Sequence, residues 1–236
     1  MPDWLSQPLS DGEWQALALS LRVALWATVV SLPLALAVAW LLVRRAFWGR
    51  GALNALVHLP LILPPVVTGY LLLIVFGRKA PVGQALEQVF GLVFAFRWTG
   101  AALAAAVMAF PLVVRALRLG LEAVDPRLEA AAATLGARPA MVFVTVTLPL
   151  ILPAILSAMI IGFAKAMGEF GATITFVANI PGQTQTLPTA IYTALQVPGG
   201  EGAVWRLVAI SLVLALGALA LSEYVSRAVA RRIGAR

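Results

Sequence analysis

The stretch EAAAATLGARPAMVFVTVTLP, residues 129–149, decides how this chain is organised. It begins as a short, mildly charged helix that a glycine interrupts at position 136, and it leads at Pro149 into a long apolar run. Apolar segments of membrane-spanning length lie on both sides of it. A hydrophilic helix that connects two membrane-spanning segments is available for binding by a soluble partner. The stretch therefore predicts a membrane subunit that a separate protein drives.

The composition is that of an integral membrane protein. Of the 236 residues, 61% are hydrophobic and only 11% are charged, whereas soluble domains carry about 25% charged residues. A soluble fold of this size could not cover so much apolar surface. The net charge of +7 follows membrane topology, so it indicates anionic lipid as a partner and not nucleic acid. The absence of cysteine excludes disulfides and thiolate chemistry.

Five segments are long and apolar enough to cross a bilayer, which takes about 20 residues. The predicted fold class is an all-α integral membrane protein, with residues 1–236 forming a single transmembrane domain. Residues 171–178 are too short to span and are expected to be a broken or re-entrant continuation of the fourth span; a sixth span is the alternative. The spans are predicted at approximately 21–43, 53–76, 99–117, 141–169 and 203–226.

The arginines predict the orientation. With five spans, those between spans one and two, between spans three and four, and in the tail all lie on the same side of the membrane. The positive-inside rule then places the C-terminus in the cytoplasm and the N-terminus in the periplasm. The arginines concerned are Arg44, Arg45, Arg50, Arg115, Arg118, Arg127, Arg138, Arg227, Arg231, Arg232 and Arg236.

The cytoplasmic loop 118–147 is long for a connection between spans, and it carries helix signals. Asp125 is a suitable N-cap, Pro126 suits the first helical position, and Gly136 is a natural C-terminal break. The small side chains between them would let this helix lie close against another protein. An amphipathic helix resting at the lipid interface is the alternative interpretation.

The loop resembles the EAA loop of ATP-binding-cassette importer permeases, in which a coupling helix docks on the ATPase. Anchored on Gly136, the Leu-Pro pair at 148–149 matches the pattern, while Glu129 lies one residue before the expected acidic position. The resemblance implies the type I importer permease fold and a cytoplasmic ATPase subunit as partner. The residues that it implies for docking are Glu129, Ala130, Ala131, Ala132, Gly136, Leu148 and Pro149.

Other stretches narrow the family. HLPLILPPVVTGYLL (58–72), FPLVVRALRLGLEAVD (110–125) and GEFGATITFVANIPGQTQTLPTAIY (168–192) resemble molybdate permeases, and sulfate permeases share a related EFGA stretch. The resemblance implies the inner-membrane subunit of an ATP-driven importer of molybdate and tungstate in bacteria. It also implies a second copy of the chain and a periplasmic molybdate-binding protein as partners. A sulfate or thiosulfate permease and a non-transporting membrane scaffold are the alternatives.

The predicted path and gate lie in spans two and four. Prolines in span two free backbone carbonyls and shape either the bundle or the translocation path. Lys165 and Glu169 are four residues apart, so they share a helix face and are expected to form an ion pair. The residues expected at the path or gate are Pro60, Pro64, Pro65, Gly168, Glu169, Gly171 and Thr173.

The chain carries no signal for chemistry of its own. It lacks the G-x-x-x-x-G-K-[ST] loop that cradles ATP phosphates, so we assign ATP hydrolysis to a separate subunit and expect no catalytic residue, cofactor or metal. Alanines at 101, 105 and 109 recur every four residues in span three. Such a stripe lets backbones approach closely, either within the chain or at a subunit interface.

Overall fold

The structure, a computed structural model, describes residues 8–234, without the side chains of 222 and 225–234. All regular secondary structure in this part of the chain is helical. A π-helical turn at Phe143–Thr147 lies between the seventh and eighth α-helices. The α-helices are α1 (Asp11–Arg44), α2 (Arg50–Ile62), α3 (Pro65–Phe76), α4 (Pro81–Phe90), α5 (Trp98–Glu122), α6 (Pro126–Thr134), α7 (Pro139–Val142), α8 (Leu148–Leu150), α9 (Leu152–Met167), α10 (Gly171–Val177), α11 (Leu187–Ala194) and α12 (Glu201–Gly234).

The long helix α1 begins well before the predicted span. Its first turn is a capping box, in which the Ser10 hydroxyl accepts from the Glu13 amide and the Glu13 carboxylate accepts from the Ser10 amide. Glu13 also pairs with Arg206 at 3.0 Å, which ties the start of α12 to the start of α1. The helix therefore extends about ten residues beyond the apolar run on that side.

The centre of the fold is formed by α1, α5 and α9. The alanines at 101, 105 and 109 are buried inside the chain, where Ala101 and Ala105 pack in one cluster with Ala24 and Ala27 of α1. Side chains this small let helix backbones approach closely. The alanine stripe is therefore an intrachain packing surface and not a subunit interface.

The predicted span 53–76 is two helices, not one kinked helix. Helices α2 and α3 meet at an angle of 116°, and Leu63 and Pro64 between them are extended. The reason is local, because a residue before proline is disfavoured in the α region and two consecutive prolines remove two donors. This break is larger than the kink that the prolines predict.

The predicted fourth span is also broken. Pro139–Leu150 and Leu152–Met167 are bent by 68°, and α10 follows as a separate short helix, as expected for residues 171–178. Three described helices are long and apolar enough to cross a membrane, or up to five if each bent pair is one crossing. These helices agree with the predicted all-α, multi-pass fold.

Candidate coupling and translocation sites

A helix, α6, is present where the sequence predicts the coupling helix, and its docking on an ATPase stays a prediction. The Asp125 carboxylate accepts a hydrogen bond from the Arg127 amide at 2.9 Å, and Pro126 occupies the first turn. Both helix-start predictions are confirmed. None of the nine residues of α6 is buried, so most of its surface faces away from the bundle.

Gly136 ends this helix through its backbone conformation. It has φ +86°, and the amides of Gly136 and Ala137 donate to the carbonyls of Ala133 and Ala132. This is the paired hydrogen-bonding pattern of a Schellman motif, which favours glycine. A Cβ at this position would meet nothing within 4 Å. The predicted helix end is confirmed, and it depends on the sign of φ and not on available space.

Next to this turn, Leu135 is 89% exposed. An apolar side chain presented on a polar loop is a candidate contact for a partner protein. The sequence interpretation passed over Leu135, although its position directly before the helix-ending glycine was a usable signal. Ala130 and Ala131 are also exposed, whereas Ala132 is half-buried.

Glu129 faces the chain's own membrane domain. One of its carboxylate oxygens accepts from the Arg44 guanidinium at 3.0 Å and from the Thr147 hydroxyl at 2.6 Å. Arg44 is the last residue of α1, and Thr147 is the buried last residue of the π-helical turn. We name this three-residue contact the Glu129 junction. It joins α6 to α1 and to the π-helical turn, a pair of contacts that the position of Glu129 in the sequence did not reveal.

Leu148 and Pro149 do not lie on the coupling helix. They are the first two residues of α8, directly after the π-helical turn, and Leu148 packs against the buried cluster that α1, α5 and α9 share. At these two residues the chain returns from the loop to the helical bundle. Among the residues predicted for docking, Glu129 and Leu148 therefore contact the chain itself.

The predicted ion pair of Lys165 and Glu169 is present. One oxygen of Glu169 accepts from the Lys165 ammonium at 3.0 Å, and the other accepts from the buried Ala172 amide at 3.0 Å. The carboxylate therefore bridges the end of α9 and the first turn of α10 across the break at Gly168. The side chain of Glu169 is 2% exposed and that of Lys165 is 32% exposed.

Helices α3 and α10 are in backbone contact. A Cβ on Gly69 would lie 2.5 Å from the carbonyl oxygen of Ala172, and a Cβ on Gly171 would lie 2.7 Å from the Cβ of Pro65. Pro65 and Gly171, both predicted for the path, are thus brought together, and Thr173 on the same short helix is buried. We name this contact of α3 with α10 the candidate gate. Gly69 was missed, although a small residue four positions after Pro65 in an apolar helix was the available signal.

The remaining predicted prolines mark the break. Pro64 is the N-cap of α3, and Pro60 lies inside α2. Pro60 is therefore separated from the contact of α3 with α10 by the 116° bend. Pro65 therefore belongs to the contact with α10, Pro64 precedes it at the start of α3, and Pro60 lies on the preceding helix.

A cluster of neutral polar groups follows α10. The side-chain Nδ2 of Asn179 donates to the Thr193 hydroxyl at 2.6 Å. The Thr184 hydroxyl accepts from the backbone amide of Ile180 and donates to the carbonyl of Ala178. Ala178 has φ +65° and ψ −164°, a conformation nearly restricted to glycine, and such strain concentrates at functional sites. The cluster places hydrogen-bonding groups directly after the candidate gate.

Residues 31–231 match the family described as the binding-protein-dependent transport system inner membrane component. The chain belongs to this family. The molybdenum transport system permease protein of Escherichia coli K12 is 55% identical over 226 residues, which cover 96% of this chain and 99% of that protein. A probable sulfate transport system permease protein of Chlorokybus atmophyticus is 35% identical over 177 residues, 75% of this chain and 62% of that protein.

A chain of a bacterial alginate ABC transporter, crystallised with its alginate pentasaccharide-bound periplasmic protein, has a TM-score of 0.71 to this transport component. The alignment covers 99% of this chain and 83% of that one at 18% identity. At this identity the likeness concerns the fold alone. It confirms the predicted all-α importer permease fold.

The Glu129 junction predicts energetic coupling between α1 and the coupling helix. Arg44→Ala and Glu129→Ala should each lower the free energy of unfolding, and the double variant should cost clearly less than their sum, with an interaction energy of about 1–2 kcal/mol. Reversible unfolding of the purified chain in mixed micelles measures this cycle. The matched control is the more exposed pair Arg118 and Glu122, 3.4 Å apart, with side chains 27% and 47% exposed, for which we expect about 0.5 kcal/mol or less. Additive effects at Arg44 and Glu129 would reject the junction.

Proposed function

We propose that this chain is the transmembrane subunit through which molybdate and tungstate enter a bacterial cell. The observation that carries the proposal is the 55% identity to a molybdenum transport system permease protein along 99% of that protein's length. Molybdate and tungstate are tetrahedral dianions of the same charge and similar size, so a path for one accommodates the other. In this role the chain performs no covalent chemistry, and its work is to open and close a path.

The candidate gate suits an anion. An unpaired carboxylate would repel a dianion, but Lys165 compensates the charge of the Glu169 carboxylate, which also accepts a hydrogen bond from the Ala172 amide. The Thr68 hydroxyl, buried beside Gly69 in α3, has no hydrogen-bond partner among the described residues. The polar cluster around Asn179 and Thr193 adds neutral groups. Neutral donors can take over part of an oxyanion's hydration without holding it tightly.

A second copy of the chain would complete the path. On α3, Val66, Tyr70 and Ile74 are exposed, and their spacing of four residues puts them on one face of the helix. Gly69 packs on α10 from another face. Helix α3 therefore presents one side to the candidate gate and an apolar side outward, which is the arrangement expected of a helix between two copies.

Two further partners follow from the orientation that the arginines predict, with the N-terminus in the periplasm and the C-terminus in the cytoplasm. A cytoplasmic ATPase would dock on the exposed surface of α6 and on Leu135. A periplasmic molybdate-binding protein would deliver the oxyanion to the opposite side. The alginate transporter provides a precedent for the second partner, because its structure contains a periplasmic protein.

The contacts supply a route for the movement. ATP-driven closure of the ATPases would displace α6, and the Glu129 junction would pass this displacement to α1 and to the π-helical turn. From there α9 continues to Glu169, which holds the first turn of α10, and α10 lies in backbone contact with α3. The breaks at Leu63 and Gly168 are the positions at which helices can change angle.

The experiment is uptake of labelled molybdate into vesicles that contain the chain, its ATPase and its binding protein, with and without ATP and with excess sulfate. We expect ATP-dependent uptake of molybdate that excess sulfate does not reduce and that tungstate inhibits by competing with molybdate. Sulfate permeation is the second candidate, favoured by the 35% identity to a sulfate permease, and loss of uptake in excess sulfate would establish it. An assembled complex without any uptake would indicate a non-transporting scaffold.

A further inference from the structure

A cavity of about 420 Å³ lies between the end of α1 and the coupling helix. Trp40, Arg44 and Arg45 form one wall, and Ala130 and Ala133 of α6 belong to the other. We name it the α1–α6 pocket. It lies at the membrane boundary, because the uncharged part of α1 ends at Arg44 and about 20 apolar residues are enough to cross the hydrocarbon core.

The pocket carries one uncompensated positive charge. Arg44 is paired with Glu129, whose carboxylate also belongs to the lining, so these two charges offset each other. Arg45 is exposed, and within the described part of the chain no ion pair involves it. Its guanidinium lies 5.6 Å from the centre of the Trp40 ring, within the range in which a ring face attracts a cation. Arg45 is therefore oriented in the pocket but free to bind an anion.

The loop after the pocket has the composition of a membrane interface. Phe47 and Trp48 are exposed, Trp48 completely. Tryptophan is enriched at the level of the lipid headgroups, because its ring is amphipathic. Arginines at 44, 45 and 50 surround these aromatic residues. An exposed aromatic pair among basic residues at the end of a span fits a lipid surface better than a water-exposed loop.

We propose that the α1–α6 pocket binds the phosphate of an anionic phospholipid headgroup, with Arg45 as its principal ligand. The proposal rests on the proposed cytoplasmic position of this end of α1. Basic pockets between membrane helices on that side bind anionic headgroups. Because α6 forms the opposite wall, a bound headgroup supports the coupling helix from the membrane side, next to the Glu129 junction. Anionic lipid thereby stabilises the orientation in which α6 meets its partner.

The test is a titration of the purified full-length chain with phosphatidylglycerol, with bound lipid counted by native mass spectrometry. We expect saturable binding of one lipid per chain. The Arg45→Gln variant should bind about fivefold more weakly, because a basic residue near an anionic surface contributes ~1 kcal/mol, which corresponds to that change in affinity. The matched control is Arg50→Gln, which removes a charge at the first residue of α2, directly after the same loop, but not from the pocket lining. It should change the affinity by less than about twofold, because an exposed charge outside the pocket makes at most a weak, solvent-screened interaction with the bound headgroup. This assay needs no transport, so it stands apart from the uptake experiment.

Two further arms use other ligands. Phosphatidylcholine, which has no net charge, should not compete for the site. Inorganic phosphate at millimolar concentration should not displace phosphatidylglycerol; displacement would assign the pocket to a free oxyanion and overturn the lipid proposal. Equal weakening by Arg45→Gln and Arg50→Gln would reduce the effect to diffuse surface charge, and non-saturable binding would remove the site altogether.

Discussion

Gly69→Leu is expected to abolish uptake and to destabilise the chain by about 3 kcal/mol or more. The Cβ alone would lie 2.5 Å from the Ala172 carbonyl oxygen and 2.9 Å from the Ala172 Cα. A flexible side chain could move away, but here the neighbour is backbone, so α3 and α10 must separate. The displaced α10 also loses the position in which Glu169 caps its first turn. Uptake should therefore fall further than stability alone would explain.

The measurement is the thermal unfolding midpoint in detergent together with uptake in vesicles. Gly69→Ala should lie between the wild type and Gly69→Leu, because it adds only the clashing Cβ. Gly51→Leu is the matched control, since a Cβ at this helical glycine of α2 meets nothing within 4 Å. We expect Gly51→Leu to retain uptake. A Gly69→Leu protein with wild-type midpoint and uptake would show that α3 and α10 do not need their close contact.

The features that the sequence predicted well are those encoded within a few residues. The start of the coupling helix at Asp125 and Pro126, its end at Gly136 and the pair of Lys165 with Glu169 all depend on neighbours within one or two turns of helix. For such features the residue type and its spacing already contain the physical cause. The apolar runs similarly indicated where the chain is membrane-like, because length and hydropathy decide that directly.

The features that escaped the sequence depend on distant contacts. Arg44 and Glu129 are 85 positions apart, and the local sequence around either residue does not indicate the other as its partner. Gly69 and Ala172 meet only because two broken spans fold back on each other. The size of the break at Leu63 also depends on packing, because two prolines permit a sharp turn but do not require 116°. Close packing therefore had to be seen in three dimensions.

Removing Lys165 is expected to cost more than removing the charge of its partner. In Lys165→Met the Glu169 carboxylate, 2% exposed, loses its counter-ion, and an uncompensated buried charge costs about 3–5 kcal/mol. In Glu169→Gln the Ala172 amide keeps an acceptor, and the Lys165 ammonium, 32% exposed, can reach water. We expect about 1–2 kcal/mol for that variant. The asymmetry follows from the unequal exposure of the two partners.

The double variant Lys165→Met/Glu169→Gln decides whether the pair acts as a unit. It leaves no charge at the break and keeps an acceptor for Ala172, so its stability should recover above that of Lys165→Met. Thermal unfolding of the three variants measures the order of their stabilities. Uptake is expected to depend on the charge at this site as well as on stability. Lys165→Met presents an unpaired carboxylate to a dianion, so its uptake should fall most, while the neutral double variant should regain part of it. A double variant that recovers stability but stays as inactive as Lys165→Met would mean that the ammonium itself serves the anion. A double variant as unstable as Lys165→Met would show that the pair does not act as a unit.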